Sequence, residues 1–137
     1  MSDTVLVTGG FGLVGSATVR QLAVDGRRVV IADLETPANV KKANALPAGV
    51  ETRWTDLTDP EQVQRLVTDV APAAIIHLAA IIPPLIYRNA KLARRVNVEA
   101  TATLVRIAEG QPSPPRLVLG SSNAVFGPRT RTARPRR

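Results

Sequence analysis

Three glycines spaced as Gly10-x-Gly12-x-x-Gly15 follow a short apolar run, Val5–Val7, and precede a segment with helical periodicity. The spacing meets three needs of a main chain that wraps a pyrophosphate: a tight bend, a close approach of backbone to phosphate, and close packing of a helix on a strand. The N–H groups and the dipole of the helix start would face the phosphates. The pattern predicts a dinucleotide phosphate site; a flexible strand-to-helix turn is the alternative.

An acidic residue ends the second predicted strand. Asp33 follows Gly15 at about the 20-residue separation that is typical of a carboxylate binding the ribose hydroxyls of an adenosine. A carboxylate repels a 2′-phosphate, and the next residues, Leu34 and Glu35, supply no cation to offset it. The sequence therefore favours NAD over NADP.

Composition limits the remaining possibilities. The chain has 137 residues, 45% of them hydrophobic, and no Cys, which suits one globular domain and excludes disulfides and thiolate chemistry. No metal-ligand set is visible. The chain shows no signal peptide, and the longest apolar run, 73–82, is too short to span a bilayer. We expect a cytoplasmic protein without a membrane segment.

The net charge of +7 belongs mostly to the end of the chain. Five arginines lie between 129 and 137, whereas residues 1–128 carry 13 Lys and Arg against 11 Asp and Glu. The body has no basic stripe, so nucleic acid is not an expected partner. We expect a dinucleotide-binding domain over 1–128 and a basic, disordered tail over 129–137.

Five predicted strands alternate with helices along the chain. The strands are expected at 4–8, 28–32, 50–55, 73–78 and 116–121, and the helices at 13–25, 38–45, 60–71 and 89–109. Asp59 is the expected N-cap of the third helix, with Pro60 at its first position. Right-handed crossovers then give an α/β fold, a Rossmann-like doubly wound parallel sheet with strand order 3-2-1-4-5, truncated after strand five. A ligand would lie at the switch between strands one and four.

Several ordered motifs over 1–128 resemble those of the extended short-chain dehydrogenase/reductase family, the NAD-dependent epimerase/dehydratases. They are the glycine turn after Thr8, Asp33, the pair Asp56-Leu57 after strand three, His77-Leu-Ala-Ala80 after strand four, and Asn97 on the following helix. The resemblance implies a site for NAD. The implied cofactor-binding residues are Gly9, Gly10, Gly12, Leu13, Val14, Gly15, Asp33, Asp56, Leu57, Leu78, Ala79, Ala80 and Asn97.

The resemblance also implies a catalytic hydroxyl at Ser122. Gly120-Ser-Ser-Asn-Ala-Val-Phe-Gly127 is similar to the family's Ser-Ser-x-x-Val-Tyr-Gly, with Phe126 in place of the usual Tyr. In the family a Tyr-x-x-x-Lys on the next helix exchanges a proton with the substrate and holds the nicotinamide ribose. Residues 128–137 show no such pair. The sequence therefore contains part of an active site, and whether the chain is an enzyme stays open.

Three other features, a Tyr-x-x-x-Lys match, one His and one Trp, could suggest chemistry. Tyr87-Arg-Asn-Ala-Lys91 fits Tyr-x-x-x-Lys but precedes Ser122, so we interpret it as the entry to a helix near the pocket mouth. His77, in a buried strand, is expected to be packed and hydrogen-bonded and not to act as a base. Trp54 is expected in the core or as a lid beside the adenine.

Two functions fit these observations. The first is the NAD-binding portion of an epimerase or dehydratase acting on a small-molecule substrate such as a nucleotide sugar, inactive alone. The second is a non-catalytic NAD-sensing module whose basic tail binds nucleic acid or an acidic partner. Strand five would be a bare apolar edge, so self-association through Leu117–Leu119 is expected.

Overall fold

The structure, a computed structural model, describes residues 3–127. Five parallel strands form one sheet in the order β3-β2-β1-β4-β5, which confirms the predicted α/β topology. The strands are β1 (Val5–Thr8), β2 (Val29–Asp33), β3 (Val50–Trp54), β4 (Ala74–His77) and β5 (Arg116–Leu119). Thr8 lies opposite Ala32 on one side and His77 on the other, so the carboxyl ends of the three central strands meet at one edge.

Helices connect the strands and cover both faces of the sheet. They are α1 (Leu13–Val24), α2 (Pro37–Ala43), α3 (Pro60–Val70), α4 (Leu85–Arg88), α5 (Ala90–Arg94) and α6 (Ala100–Glu109). A π-helical turn over Arg95–Glu99 joins α5 to α6, so the long helix predicted at 89–109 is continuous but locally widened. A 3₁₀ turn follows β5 at Asn123–Phe126.

The predicted start of α3 is confirmed. The Asp59 carboxylate accepts hydrogen bonds from the N–H groups of Glu61 and Gln62 at 3.0 and 3.4 Å, and Pro60 occupies the first helical position. A hydrogen bond from the Gln62 side chain also lowers the pKa of the Asp59 carboxyl. This cap fixes where the chain turns after the Asp56–Thr58 segment, which borders the site described below.

Alternating side chains of β1 divide the core in two. Leu6 is fully buried on one face, where it packs with Ile75 and with residues of α3 and α6 such as Leu104. Val5 and Val7 belong to the other face, which α1 covers. Continuous burial along β1 and β2 is typical of central parallel strands covered on both faces.

The fifth strand is the exposed edge of the sheet. It pairs with β4 alone among the strands of residues 3–127, and Val118 and Leu119 remain 46% and 51% exposed. Unpaired N–H and C=O groups beside apolar side chains are a template for association with another chain. Self-association itself stays a prediction.

Some sequence predictions are not tested by this structure. Residues 128–137, with the expected basic tail, lie outside the described residues. Across residues 3–127, every helix is too short or too polar to cross a membrane, and no cluster of His, Cys, Asp and Glu could hold a metal ion. The cytoplasm as the protein's location stays a prediction.

Candidate cofactor site

The glycine-rich turn begins with a left-handed residue. Gly9 has φ +68°, and a Cβ there would lie 2.8 Å from the backbone nitrogen of Ala79, just after β4. The tight bend is therefore at Gly9, and not at the first glycine of the predicted spacing. Gly10 instead packs on β2, because its Cβ would lie 2.6 Å from Cγ2 of Ile31.

The start of α1 leaves backbone donors unpaired within the helix. The first N–H groups of a helix have no intrahelical acceptor, and the N-cap of α1, Gly12, has no side-chain oxygen to bind them. A Cβ on Gly15 would overlap the carbonyl oxygen of Gly9, and this contact brings the helix directly onto the turn. Leu13 and Val14 have exposed side chains. This arrangement is typical of an anion-binding site at a helix N-terminus.

The Asp33 carboxylate joins the end of β2 to the glycine turn. Its Oδ2 accepts a hydrogen bond from the backbone N–H of Phe11 at 3.1 Å, and its Oδ1 accepts one from Leu34 at 2.9 Å. Each carboxylate oxygen has a second lone pair, so both oxygens can still accept hydrogen bonds from a ligand. Asp33 is thus oriented by the backbone.

Two side chains, Lys42 and Trp54, contact Phe11 and support the glycine turn, and the sequence analysis did not single out Lys42. Lys42 of α2 donates from Nζ to the carbonyl of Phe11 at 2.9 Å, across 31 positions of the chain. The ring of the partly buried Trp54 packs on the buried Phe11 ring with centroids 5.8 Å apart, so Trp54 lies against the core, and its alternative role as a lid beside the adenine stays a prediction. The sequence carried no signal for the Lys42 contact, because only tertiary packing brings α2 to the turn.

A buried hydrogen-bond chain holds the junction of β1 and β4. Thr8 Oγ1 accepts from the N–H groups of Leu78 and Ala79, so its proton goes to His77 Nδ1 at 2.6 Å. His77 Nε2 then donates to Thr101 Oγ1 at 2.9 Å, because Thr101 gives its own proton to a carbonyl one turn earlier. Burial lowers the pKa of His77. His77 is therefore a neutral, packed residue, as the sequence predicts.

Asn97 holds the segment that follows β4. Its Oδ1 accepts from the Ile81 N–H at 2.8 Å, and its Nδ2 donates to the Ile81 carbonyl at 2.8 Å. Asn97 lies in the π-helical turn, where the backbone widens and directs the side chain toward this loop. Asn97 therefore holds the loop after β4 to the helix, as the sequence predicts.

The segment after β3 presents Asp56 and Leu57. Asp56 Oδ1 accepts hydrogen bonds from both the backbone N–H and the hydroxyl of Thr58, at 2.9 and 2.7 Å. Across from it, Arg95 Nη2 makes a long hydrogen bond of 3.5 Å to Thr58 Oγ1. Arg95 was not among the sequence-predicted residues, because its position on a helix gives no indication of which way it points.

These segments surround a cleft of about 540 Å³ at the carboxyl ends of β1, β2 and β4. Eight sequence-predicted residues line it: Gly9, Gly12, Asp33, Asp56, Leu57, Leu78, Ala79 and Ala80. Five others lie outside its lining: Gly10, Leu13, Val14, Gly15 and Asn97. A close-packed glycine turn, an oriented carboxylate and the small residues Ala79 and Ala80 opposite fit a bound dinucleotide.

The structure does not bring the catalytic candidates together. Ser122 Oγ accepts from the Ala124 N–H at 3.2 Å and caps the 3₁₀ turn, outside the cleft lining. Tyr87 ends up on α4 and Lys91 on α5, with Asn89 breaking the helix between them. They therefore do not share one helix face, as a Tyr-x-x-x-Lys pair requires.

Comparison with known proteins agrees with this geometry. The model of the NAD dependent epimerase/dehydratase family matches residues 5–137. D-erythronate dehydrogenase of Cupriavidus necator is 33% identical, with 90% of this chain and 40% of the relative covered. UDP-glucose 4-epimerase 4 of Oryza sativa is also 33% identical, with 92% of this chain and 36% of the relative covered. The chain thus spans about two fifths of the length of these relatives.

Solved structures show the same relationship. The UDP-glucose 4-epimerase of Thermus thermophilus in complex with NAD has a TM-score of 0.68 at 30% identity, covering 77% of this chain and 33% of that one. The Brucella ovis UDP-glucose 4-epimerase in complex with NAD has a TM-score of 0.77 at 25% identity, covering 96% and 39%. The chain belongs to the NAD-dependent epimerase/dehydratase family.

Proposed function

We propose that this chain binds NAD in the cleft at the β1–β4 switch and forms the cofactor-binding portion of an epimerase or dehydratase. The observation that carries the proposal is the Asp33 carboxylate, held by the Phe11 and Leu34 amides at the rim that the glycine turn also forms. Asp33 thus links the glycine turn, where the pyrophosphate is proposed to bind, to the part of the cleft proposed for the adenosine ribose. The pyrophosphate would face the start of α1, and the adenine would lie toward Asp56 and Leu57.

Asp33 also supports NAD over NADP. A ribose diol donates hydrogen bonds to its two oxygens, whereas a 2′-phosphate would place like charges in contact. Lys42 lies outside the cleft lining and its Nζ is bound to the Phe11 carbonyl, so it would have to give up that bond to pair directly with a 2′-phosphate.

The proposed reaction is hydride exchange at a hydroxyl-bearing carbon of a small substrate such as a nucleotide sugar. Bound NAD supplies the hydride acceptor. Ser122 would donate a hydrogen bond to the reacting oxygen, and no Tyr-x-x-x-Lys follows Ser122 in these 137 residues to exchange the proton. We infer that the 137-residue chain binds cofactor without turning over substrate.

A thermal melt of the 137-residue chain with NAD or NADP tests the proposal. Saturation at 100 times Kd adds about 2.7 kcal/mol of stability, so NAD should raise the Tm by several degrees and NADP should raise it less. Asp33→Asn removes the like-charge repulsion, so the rises in Tm caused by NAD and by NADP are expected to become more similar. A melt indifferent to both dinucleotides refutes the proposal.

A further inference from the structure

We propose that Arg95 covers the purine ring of the bound dinucleotide, with its guanidinium stacked on the base between the Asp56–Thr58 segment and α5. The inference rests on the proposed function and names a further positioning residue for its cofactor. Arg95 is the one basic side chain among the described residues that line the cleft, beside the two carboxylates of Asp33 and Asp56.

The position of Arg95 follows from its place in the fold. It is the first residue of the π-helical turn, and its side chain spans the cleft to Thr58. Through the Thr58 hydroxyl it is linked to Asp56 Oδ1, while Oδ2 takes no hydrogen bond from residues 3–127. The guanidinium therefore lies at the part of the cleft that Asp56 and Thr58 border.

The neighbours of Arg95 favour a planar apolar ligand. Leu92 and Val96, on the same wall, line the cleft together with Leu57 on the opposite wall. A flat ring held between these apolar side chains would have the Arg95 guanidinium within reach, and Arg stacks on aromatic faces. The hydrogen bond to Thr58 is long, at 3.5 Å, so little stability is lost if the guanidinium gives it up to stack on a base.

The preceding arginine provides a matched control. Arg94 is ion-paired to Glu99 at 3.5 Å, both side chains are more than half exposed, and Arg94 is absent from the cleft lining. Arg94→Gln removes the same charge one residue away. It leaves the proposed stacking contact in place, so it separates a local contact from a general effect of charge.

The test is titration of wild type, Arg95→Gln and Arg94→Gln with NAD, AMP and nicotinamide mononucleotide. A lost cation–π contact of ordinary strength weakens binding by about three- to tenfold. We expect that loss for NAD and AMP with Arg95→Gln, an unchanged affinity for nicotinamide mononucleotide, and no change with Arg94→Gln. Arg95→Lys, which keeps the charge but not the plane, should show a smaller loss.

Each contrary outcome has a defined meaning. Equal affinities of wild type and Arg95→Gln for AMP overturn the inference, and so does an equal loss for AMP and nicotinamide mononucleotide, because that indicates attraction to phosphate alone. If Arg95→Gln without ligand melts at a lower temperature than wild type, the affinities of Arg95→Lys and wild type are compared instead. Equal affinities for AMP, or an equal loss for AMP and nicotinamide mononucleotide, then overturn the inference. A wild-type chain that binds no NAD refutes the proposed function and not the role of Arg95 alone.

Discussion

The paired hydrogen bonds between Asn97 and Ile81 lead to a prediction with a distinctive pH dependence. Asn97 both accepts from the Ile81 N–H and donates to the Ile81 carbonyl, each at 2.8 Å. Asn97→Asp has nearly the same shape but at neutral pH lacks the donor and places a charged oxygen against a carbonyl. Losing one bond and leaving that carbonyl unsatisfied costs about 2 kcal/mol of unfolding free energy.

Acid should reverse this loss. A protonated carboxyl regains a donor, so the pKa of the substituted group in the folded state rises above its unfolded value of about 3.9. The folded state then binds the proton more tightly, and the difference in stability from wild type shrinks as the pH falls through that raised pKa. Asn97→Ala loses both bonds and offers no group to titrate, so its difference should stay constant.

Urea unfolding from pH 4 to pH 8, followed by the fluorescence of the single tryptophan, Trp54, measures these differences. Stability is compared with wild type at each pH, because other carboxyl groups titrate in both proteins. The reasoning fails if Asn97→Asp is as stable as wild type at pH 7, or if its deficit is independent of pH.

Three further expectations follow from single contacts. Burial lowers the pKa of His77, so as the pH falls the unfolded chain binds a proton before the folded chain does. The free energy of unfolding should therefore be unaffected by His77 above about pH 6.5 and should decrease below it. In the same urea titration, the free energy of unfolding of His77→Gln should depend less on pH. Gly15→Ala forces a Cβ onto the Gly9 carbonyl and should lower the unfolding free energy by about 1–3 kcal/mol and abolish the NAD-induced rise in Tm. Gly26→Ala strains a backbone with φ +75° but meets nothing within 4 Å and lies outside the cleft lining, so it should lower stability and still keep that rise. Val118→Lys charges the exposed edge of β5 and should reduce self-association in sedimentation at rising concentration; a wild-type monomer throughout would contradict this expectation.

Local patterns along the chain were enough for most of the fold. Apolar runs predicted β1, β2 and β4 to within about two residues, because continuous apolar segments are typical of central parallel strands. The edge strands β3 and β5 were predicted to the same precision, although β3, Val50–Trp54, carries Glu and Arg side chains in alternation with less polar ones. Asp59 and Pro60 predicted the start of α3, since a cap and a first-position proline depend on neighbours only a few residues away. Crossover handedness then decided the strand order.

Contacts between distant segments were decided only by the tertiary structure. The glycine spacing predicted the turn, but the left-handed residue proved to be Gly9, because Ala79 approaches it from another strand. Lys42 and Arg95 reach the site across 31 and 37 positions of the chain, and nothing in a local pattern shows where a long charged side chain will end. Their positions follow from how α2 and the π-helical turn pack, which is a property of the assembled fold.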